Sequence, residues 1–557
     1  MTGQGPQGDG SQGDGLQGHG SQGHGGELVM DALTAAKVQE IFTLSGGHIF
    51  PIYDACVKAG IPIYDVRHEQ TATFAAEGTA KLTRRPGCAV LTAGPGITNG
   101  VSAITTAHFN GSPLVVIGGR APQGRWGSGS LQELDHVPIV ASITKSAVTA
   151  TAVGDLAKVV ADAAATAMTP HRGPTFVDVP MDVLFASGER GIPLDGLPRD
   201  VVEPDHDLVA QAAALVAGAE RPCLVAGSDV YWEGAWEPLQ GLVEALRVPT
   251  FVNGLGRGCL PADHELAFAR TRSALKQADV VVVVGTPLDF RLSFGRFGDA
   301  QVVHIVDSPD SEAGHVPGAI TVAGGIGPTL AGMAAMGEGK RADHEPWIAK
   351  LRDEESAARE KERDWLEADT DPIHPARVYG ELRTRLARDA VVIGDGGDFV
   401  SWAGRLVDSY QPGCWMDPGP YGCLGTGLGY TMAARVAHPD RQVVLMLGDG
   451  AAGFSLMDAD SLVRHNLPAL IVIGNNGIWG LEKHPMQALY GYDVAADLQP
   501  GCRYDDVVKA LGGAGETVSS PADLGPALDR GLAAGAPYVV NVLLDPAVAY
   551  PRTSNLA

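Results

Sequence analysis

The sequence predicts an α/β protein with three doubly wound domains, each a parallel sheet covered by helices on both faces. Short apolar runs that are typical of buried strands alternate with helical stretches in three separate parts of the chain. Such alternation indicates βαβ units, whose crossover helices cover both faces of a parallel sheet. The length of 557 residues provides for three or four domains of average size.

Changes in composition divide the chain. Residues 1–26 are rich in Gln and Gly, and we expect them to form a disordered tail. The domains are predicted at 27–190, 200–345 and 370–545, with strand-like and helical runs in each. A charged segment at 347–367, with few apolar residues, predicts a solvated connecting helix.

Charge and composition disfavour several classes of protein. The formal net charge of −24 argues against binding to nucleic acid or to an anionic membrane surface. No apolar run approaches the ~20 residues that span a bilayer, and the N-terminal tract lacks the pattern of a signal peptide. The seven cysteines are dispersed without a CxxC pair, which favours a reducing, cytoplasmic location over disulfides or a zinc site.

In the first domain, a polar segment follows the second predicted strand. Strands are predicted at 41–44, 61–66 and 88–92, and Arg67-His68-Glu69 lies where the second of them passes into an Ala-rich helix. Glu69 in this position is typical of an acid that interacts favourably with a helix N-terminus. The position of Glu69 alone does not indicate a catalytic role.

In the middle domain, one predicted strand ends on an acidic residue. Strands are predicted at 223–227, 250–252, 280–284 and 302–307, and Asp307 closes the last of them. Such an acid is typical of the ribose-binding residue of NAD sites, but the G-x-G-x-x-G that those sites need is missing. An NAD-dependent oxidoreductase therefore has little support.

The third domain carries the chemistry around which the other parts are organised. A predicted strand at 443–447 leads into Gly448-Asp449-Gly450, and a second at 469–474 ends on Asn475-Asn476-Gly477. Ligands of parallel sheets bind at the carboxyl ends of strands. A carboxylate, an amide oxygen and a loop carbonyl suit Mg²⁺ that holds a diphosphate, and Gly448 and Gly450 let the backbone approach it.

Between these strands, Phe454, Met457 and Leu462 predict an amphipathic helix. Each glycine motif taken alone has a simpler interpretation, because both G-D-G and N-N-G are common in ordinary turns. The combination is more specific. A G-D-G followed by N-N after a little under thirty residues resembles the thiamine diphosphate motif. This resemblance implies that Asp449 and Asn476 bind Mg²⁺ through their side chains and Ile478 through its main-chain oxygen.

From residue 27 onward, the chain resembles the acetolactate synthase-like family of thiamine diphosphate enzymes. That family includes acetolactate synthase large subunits, 2-hydroxyacyl-CoA lyases and benzaldehyde lyase. The motifs that carry the resemblance in the first domain are Gly46-Gly47, Arg67-His68-Glu69, Thr92-Ala93-Gly94-Pro95-Gly96, Leu131-Gln132-Glu133 and Ile143-Thr144-Lys145.

The resemblance implies roles for three residues of the first domain. Glu69 would hydrogen-bond N1′ of the aminopyrimidine and so support the tautomer that removes the C2 proton. Gln132 would face the substrate, and His48 would project toward the thiazolium. Acetolactate synthases usually have an apolar residue in place of His48, whereas benzaldehyde lyase and some 2-hydroxyacyl-CoA lyases have a similar Gly-His-Ile pattern.

The resemblance also implies cofactor contacts in the third domain. The backbone oxygen of Gly422 would receive the 4′-amino group, and Leu424 would hold the cofactor in its bent shape. Gly397 and Asp398, in the loop after another strand, are expected near the diphosphate. In the middle domain, residues 285–291 resemble an FAD-binding segment, but Pro287 replaces its first arginine. FAD binding therefore stays open, with a structural spacer domain as the alternative.

The leading prediction is an acetolactate synthase, which converts two pyruvate molecules into 2-acetolactate and CO₂ in branched-chain amino acid biosynthesis. The alternative is a 2-hydroxyacyl-CoA lyase or a benzaldehyde lyase-type carboligase, with an acyl-CoA or aldehyde substrate. Glu482, Lys483 and His484, where acetolactate synthases commonly have an M-V-x-Q-W helix, leave the substrate pair open. A cofactor-binding relative without catalysis is a third class. The family implies a homodimer or homotetramer with sites shared between subunits.

Overall fold

In a computed structural model of the chain, residues 21–191, 202–339 and 341–551 are described. The first domain contains a six-stranded sheet in the order β3-β2-β4-β5-β7-β6, with every pair parallel. Its strands and the flanking pair are β1 (Gln22–His24), β2 (Ile41–Thr43), β3 (Ile63–Asp65), β4 (Gly87–Leu91), β5 (Leu114–Arg120), β6 (Ser146–Thr149), β7 (Thr175–Pro180) and β8 (Ser187–Glu189). Its helices are α1 (Gly25–Ala35), α2 (Phe50–Ala59), α3 (Glu69–Thr83), α4 (Pro95–Phe109), α5 (Val137–Val140), α6 (Val153–Met168) and α7 (Met181–Phe185).

The middle domain contains a five-stranded parallel sheet in the order β10-β9-β11-β12-β13. Its strands are β9 (Pro222–Ala226), β10 (Thr250–Val252), β11 (Val280–Val284), β12 (Gln301–Val306) and β13 (Ile320–Ala323). Its helices are α8 (His206–Gly218), α9 (Ser228–Glu233), α10 (Trp236–Leu246) and α11 (Ile326–Gly337). Helix α12 (Glu345–Leu366) connects it to the third domain.

The third domain contains a six-stranded parallel sheet in the order β15-β14-β16-β17-β19-β18. Its strands are β14 (Val391–Asp395), β15 (Trp415–Met416), β16 (Val443–Gly448), β17 (Leu470–Asn475), β18 (Ala514–Val518) and β19 (Tyr538–Leu543). Its helices are α13 (Pro375–Leu382), α14 (Asp398–Leu406), α15 (Thr426–Ala437), α16 (Asp449–Ser455), α17 (Ala459–Arg464), α18 (Gly480–Tyr490), α19 (Tyr504–Ala510) and α20 (Pro521–Ala533). The predicted fold class, with three parallel α/β domains, is confirmed.

The end of the predicted tail differs from the prediction. Residues 1–20 lie outside the described ranges, but β1 pairs antiparallel with β8, with Gln22 opposite Glu189. Main-chain hydrogen bonds form this pair and require no apolar side chains, so the Gln- and Gly-rich composition gave no sign of it. Gly25 and Gly26, which follow β1, allow the start of α1 to pack closely against other segments. A Cβ on Gly26 would lie 2.1 Å from the carbonyl oxygen of Pro51.

Helix α12 also differs from its prediction, because one of its faces is buried. Trp347 and Leu351 pack in the core of the middle domain. Glu362, equally buried, accepts a hydrogen bond of 3.1 Å from Nε of Arg270. The helix is therefore part of the domain boundary and not a solvated linker. Within the described part of the chain, no helix is long and apolar enough to cross a membrane.

Helices α3 and α15 pack the first domain directly against the third. A Cβ on Gly78 would lie 2.8 Å from that of Ala433, so the helices approach closely here. Buried Glu77 lies at this contact, 3.2 Å from the Lys81 ammonium and accepting a 2.8 Å hydrogen bond from the Tyr430 hydroxyl. Because a buried charge is costly unless paired, this network favours one arrangement of the two domains.

Candidate active site

A cavity of about 460 Å³ lies between the third and middle domains, at the carboxyl ends of β14, β16 and β17. This edge is where open parallel sheets bind their ligands. Glycines from several loops line the cavity: Gly396, Gly397, Gly422, Gly448 and Gly450. A Cβ placed on Gly422 or Gly448 would meet no atom within 4 Å, so both face open space that a ligand can fill.

Asp449 is the buried carboxylate of this cavity. It begins α16 directly after β16 and is 4% exposed. Its Oδ2 accepts a 2.7 Å hydrogen bond from the N–H of Gly477, and its Oδ1 accepts one of 3.0 Å from Gly450. Burial raises the pKa of Asp449 to about 6, although these hydrogen bonds oppose the rise. A carboxylate that burial destabilises gains from a cation beside it.

Asn476 and Ile478 follow β17 and line the same cavity. The side-chain oxygen of Asn476 accepts a 3.2 Å hydrogen bond from the N–H of Ile478, which closes a tight turn. Strands β16 and β17 are neighbours in register, so this turn lies beside Asp449. A carboxylate, an amide oxygen and main-chain carbonyls form a hard-oxygen set that fits Mg²⁺ together with a diphosphate.

Gly397 and Asp398 also line the cavity, at the point where β14 leads into α14. Asp398 is buried, and its Oδ1 accepts a 3.1 Å hydrogen bond from the N–H of Tyr550. One of its oxygens is therefore engaged with the C-terminal segment. Both residues border the cavity, and their contact with a diphosphate stays a prediction.

Gly422 and Leu424 form the wall nearest the first domain. Gly422 has φ of +68°, a left-handed conformation that favours glycine. Leu424 is half-buried and lines the cavity, and its carbonyl oxygen accepts a 3.2 Å hydrogen bond from the side-chain amide of Gln70. This bond joins the loop of the third domain to the start of α3, one residue from Glu69.

The predicted amphipathic helix after Asp449 is wrong in detail. Helix α16 ends at Ser455, a 3₁₀ turn follows at Leu456–Asp458, and α17 begins at Ala459. Phe454 and Met457 are 57% and 53% exposed, whereas Leu462 is buried. The turn directs Asp458 toward the first domain, where its carboxylate accepts hydrogen bonds from Arg67 N–H (2.7 Å) and the Thr71 hydroxyl (2.6 Å).

Glu69 and His48 are buried at the carboxyl end of the first domain's sheet. Glu69 begins α3, and its Oε2 accepts a 3.0 Å hydrogen bond from the Asn99 side chain. His48 Nδ1 lies 3.3 Å from the Thr92 hydroxyl. Burial lowers the pKa of His48, against a hydrogen bond with the backbone of Leu131. A neutral imidazole at pH 7 follows from that direction.

Gln132 lies in the loop next to His48, whose side chain hydrogen-bonds to the backbone of Leu131. It has φ of +58°, and a Cβ on Gly94 would lie 2.9 Å from the Cβ of Gln132. His136 fixes the same loop, because its Nε2 accepts a 2.9 Å hydrogen bond from the N–H of Gly94 while its Nδ1 faces Asp178 at 3.0 Å. The structure therefore brings Gln132 and His48 to one edge of the first sheet.

Three family models match these domains. The one described as "Thiamine pyrophosphate enzyme, N-terminal TPP binding domain" matches residues 23–139. The central-domain model matches 209–333, and the C-terminal TPP binding domain model matches 395–542. The chain belongs to the thiamine pyrophosphate enzyme family. The predicted resemblance to these enzymes, whose cofactor is also called thiamine diphosphate, is thereby confirmed.

Relatives within the thiamine pyrophosphate enzyme family are similar over most of their length. "Acetolactate synthase large subunit IlvG" of Mycobacterium tuberculosis is 53% identical over 538 residues, covering 96% of this chain and 98% of the relative. "Probable acetolactate synthase" of Mycobacterium bovis has the same identity and coverage. "2-hydroxyacyl-CoA lyase 2" of Homo sapiens is 33% identical over 537 residues, covering 88% of this chain and 84% of the relative.

Within one copy of this thiamine pyrophosphate enzyme, the two groups of predicted residues stay separate. The described residues that line the Asp449 cavity come from the middle and third domains alone. Glu69, His48 and Gln132 are not among them, although Gln70 reaches Leu424. The chain thus presents two half-sites, one on each of its outer domains.

Sequence reasoning missed the residues that position these half-sites. Asn99, which donates to Glu69, and Asp458, which ties α17 to the first domain, belong to no motif. His136 looks like any isolated histidine, and its bond to Gly94 depends on a loop 42 residues away. The Thr92–Gly96 motif contains Gly94, but the motif does not identify His136 as its partner.

Proposed function

We propose that this thiamine pyrophosphate enzyme is an acetolactate synthase that joins two pyruvate molecules to form 2-acetolactate and CO₂. The observation that carries the proposal is the hydrogen bond from Gly477 to Asp449, which fixes the two parts of the motif side by side at a glycine-lined cavity. Similarity over 96% of the chain to the Mycobacterium tuberculosis acetolactate synthase large subunit supports the choice of substrate.

The third domain would hold the cofactor's diphosphate through Mg²⁺. Asp449, Asn476 and the main-chain oxygen of Ile478 would bind the metal, and Gly448 and Gly450 leave room beside it. Gly397 and Asp398 would border the diphosphate. The main-chain oxygen of Gly422 would accept a hydrogen bond from the aminopyrimidine, while Leu424 supports its ring. Thiamine diphosphate supplies a carbon nucleophile that adds to a carbonyl group. Its thiazolium ring then takes up the electrons of the neighbouring bond that breaks.

The first domain would supply proton handling and substrate contacts. Glu69 would hold a proton at N1′ of the aminopyrimidine, in an orientation set by Asn99. His48, neutral because burial lowers its pKa, would donate or accept a hydrogen bond at the substrate oxygen. Gln132 would orient the second substrate. The tight turn at Gln132 limits its movement, which favours a fixed position for that substrate.

A homodimer or larger assembly would bring the half-sites together. In support, Glu69 lies outside the cavity that contains Asp449, and apolar side chains are exposed near both half-sites. Phe454 lies near the end of α16 and Met457 in the turn after it, and the stacked pair Phe109 and Tyr421 is 51% and 45% exposed. Burying such residues in a subunit interface is favourable by about 25 cal/mol per Å² of apolar surface. The free thiols of all seven cysteines suit a cytoplasmic location.

A second function is favoured by His48 and by the mouth of the cavity. Glu482, on the first turn of α18, lines the cavity, so the entrance is polar. The relatives named 2-hydroxyacyl-CoA lyase 2 are 31–34% identical. A lyase or carboligase that acts on 2-hydroxyacyl-CoA or aromatic aldehydes is therefore the alternative. A binding protein without catalysis is less well supported, because it has no use for Glu69 at N1′.

The deciding experiment supplies purified full-length protein with thiamine diphosphate and Mg²⁺. Pyruvate, 2-hydroxyacyl-CoA and benzaldehyde are offered separately, and products are identified by NMR. We expect 2-acetolactate from pyruvate at a rate well above that from the other two. Cleavage of 2-hydroxyacyl-CoA without 2-acetolactate would assign the lyase. Cofactor binding with no C2 proton exchange and no product would assign the non-catalytic class.

A further inference from the structure

The middle domain has the topology of a nucleotide-binding sheet. The chain passes from β9 to β10 on one side and then returns to β11 on the other. The crevice outside the carboxyl ends of β9 and β11 is therefore the topological switch point, where doubly wound sheets bind dinucleotides. If the chain binds FAD, the segment at 285–291 would contribute to a site at this crevice.

The backbone of the chain closes this crevice. The N–H of Asp229, at the start of α9, donates a 3.0 Å hydrogen bond to the carbonyl oxygen of Gly285. The N–H of Gly227 donates one of 2.8 Å to Val284. A Cβ on Gly285 would lie 2.8 Å from the Cβ of Asp229. The amide that would bind a phosphate is already occupied, and no gap for a diphosphate separates the two turns.

Charge at the same place is unfavourable for an anion. Asp229 and Asp307 are 5% and 2% exposed and follow β9 and β12, the two strands that flank β11. His171, from the first domain, approaches both: its Nδ1 lies 3.3 Å from Asp307 Oδ1 and 3.6 Å from Asp229 Oδ1. Asp307, which the sequence offers as a ribose-binding acid, thus faces an imidazole. The cations at this place, His171 and Arg172 (3.9 Å from Asp307 Oδ2), are paired with these carboxylates and so are not available to bind the diphosphate of a dinucleotide.

The neighbouring arginine and the available volume agree with this closure. Arg291 ends the segment at 285–291, and its Nη2 donates a 2.7 Å hydrogen bond to Asp289 of the same segment. At the switch point itself, the cavity bordered by His171, Asp229 and Pro287 measures about 40 Å³, whereas the larger cavities that Arg291 and Asn253 border extend to the third domain. Sites for cofactors and drug-sized ligands measure about 300–1,000 Å³. The residues at the switch point leave too little space there for the diphosphate of FAD.

We infer that the middle domain excludes FAD, and that the cluster of His171, Asp229 and Asp307 occupies the place of a nucleotide between the first and middle domains. The cluster joins groups 136 residues apart in the chain, from His171 to Asp307. The domain then acts as a structural element, and the enzyme works without a flavin. This inference does not depend on which substrates the active site takes.

The test uses the full-length protein purified without added FAD. Flavin is measured by absorbance near 450 nm in the native protein and by fluorescence after denaturation, and FAD and ADP binding by equilibrium dialysis. The expected result is a colourless protein with no saturable binding of either nucleotide. Flavin that copurifies with the protein at a constant molar ratio, or saturable FAD binding, would overturn the inference.

Pro287→Arg provides the matched variant, because it restores the missing arginine of the segment and leaves the cluster intact. Closure of the crevice predicts that this variant still binds no FAD. FAD binding by Pro287→Arg would contradict closure and attribute the loss to one side chain. Product formation is measured in the same preparations with thiamine diphosphate and Mg²⁺. A flavin-free protein that turns over 2-hydroxyacyl-CoA or benzaldehyde and makes no 2-acetolactate would contradict the proposed function and leave this inference standing.

Discussion

The main-chain N–H of Gly477 donates a 2.7 Å hydrogen bond to Oδ2 of Asp449, across 28 residues of sequence. The bond holds the carboxylate toward the turn that carries Asn476, within a cavity at the ends of β16 and β17. A ligand group fixed before the metal arrives loses little conformational freedom on binding. The geometry of the proposed metal site would therefore be set by the fold.

Removal of either side-chain oxygen should weaken cofactor binding. We expect Asp449→Ala and Asn476→Ala to lower the affinity for thiamine diphosphate in the presence of Mg²⁺, with the larger loss for Asp449, which carries the charge. Calorimetry measures the affinity. Asp440→Ala, an exposed acid of the same domain, is the control and should bind normally. Normal affinity in both active-site variants would remove the metal assignment.

Glu69→Gln should separate catalysis from binding. Glutamine keeps the size of the side chain and can still contact Asn99, but it cannot hold a proton as a carboxylic acid does. General acid–base contributions are typically ~10²–10⁴-fold. We expect a loss of that size in exchange of the cofactor's C2 proton, followed by NMR, with a modest change in affinity. Glu40→Gln, another buried acid of the first domain, should exchange normally.

Exchange at the wild-type rate in Glu69→Gln would mean that Glu69 only stabilises the start of α3. A wild-type protein that binds the cofactor and shows no exchange would instead support the binding-protein class.

Mixed assemblies should reveal sites shared between subunits. Glu69→Gln and Asp449→Ala chains are co-expressed with different tags, and doubly tagged assemblies are isolated. In a mixed dimer, one site receives both defects and the other receives neither, so about half of the wild-type activity should return. Each variant assembly alone is the control. Activity no higher than in those controls would place both residues in one subunit's site.

His48→Gln should leave cofactor affinity unchanged and slow product formation by up to ~10²-fold. Because burial lowers the pKa of His48 below its ordinary value of 6.5, the imidazole is neutral at pH 7 and gains its proton only at lower pH. The wild-type rate should therefore fall as pH decreases below the ordinary histidine value of 6.5, and the variant should lack this part of the profile. Thr92→Ser, which keeps the hydroxyl near His48, is the control. Identical pH profiles would exclude His48 from proton handling.

The cluster at His171 should make stability depend on pH. Burial alone would lower the pKa of His171, but the carboxylates of Asp229 and Asp307 outweigh it and raise the pKa to about 9. A raised histidine pKa adds stability that is complete below the unfolded value of 6.5 and is lost as pH rises through about 9. Lys145 also faces the cluster and opposes the charge on His171.

Ionisation of Asp229 also lowers the stability of the folded protein as pH rises. Burial and the nearby Asp307 raise the pKa of Asp229 to about 7, so its ionisation costs stability as pH rises from 3.8 to about 7. We expect His171→Ala to lower the Tm more at pH 6.5 than at pH 9.5, measured by thermal denaturation. His206→Ala, an exposed histidine, should change the Tm little at either pH. An equal loss for His171→Ala at both pH values would contradict a charged His171 in the cluster.

The sequence by itself determined the fold class and the positions of the strands that carry chemistry. The strand predicted at 443–447 is β16 (Val443–Gly448), and the one at 469–474 is β17 (Leu470–Asn475). Both succeed because a run of buried apolar residues bounded by glycine is a local pattern that needs no knowledge of distant contacts. Strand order was not predicted, because parallel strands linked by helices restrict the possible arrangements without selecting one.

Tertiary structure alone decided which residues meet. The helix predicted around Phe454 and Met457 breaks because Asp458 is held by Arg67 and Thr71 of another domain. His171 closes the crevice of a domain to which it does not belong, and Glu69 lies apart from Asp449 in one copy of the chain. Periodicity encodes which face of an element is buried, whereas contacts between distant segments depend on how domains pack. No local pattern records that packing.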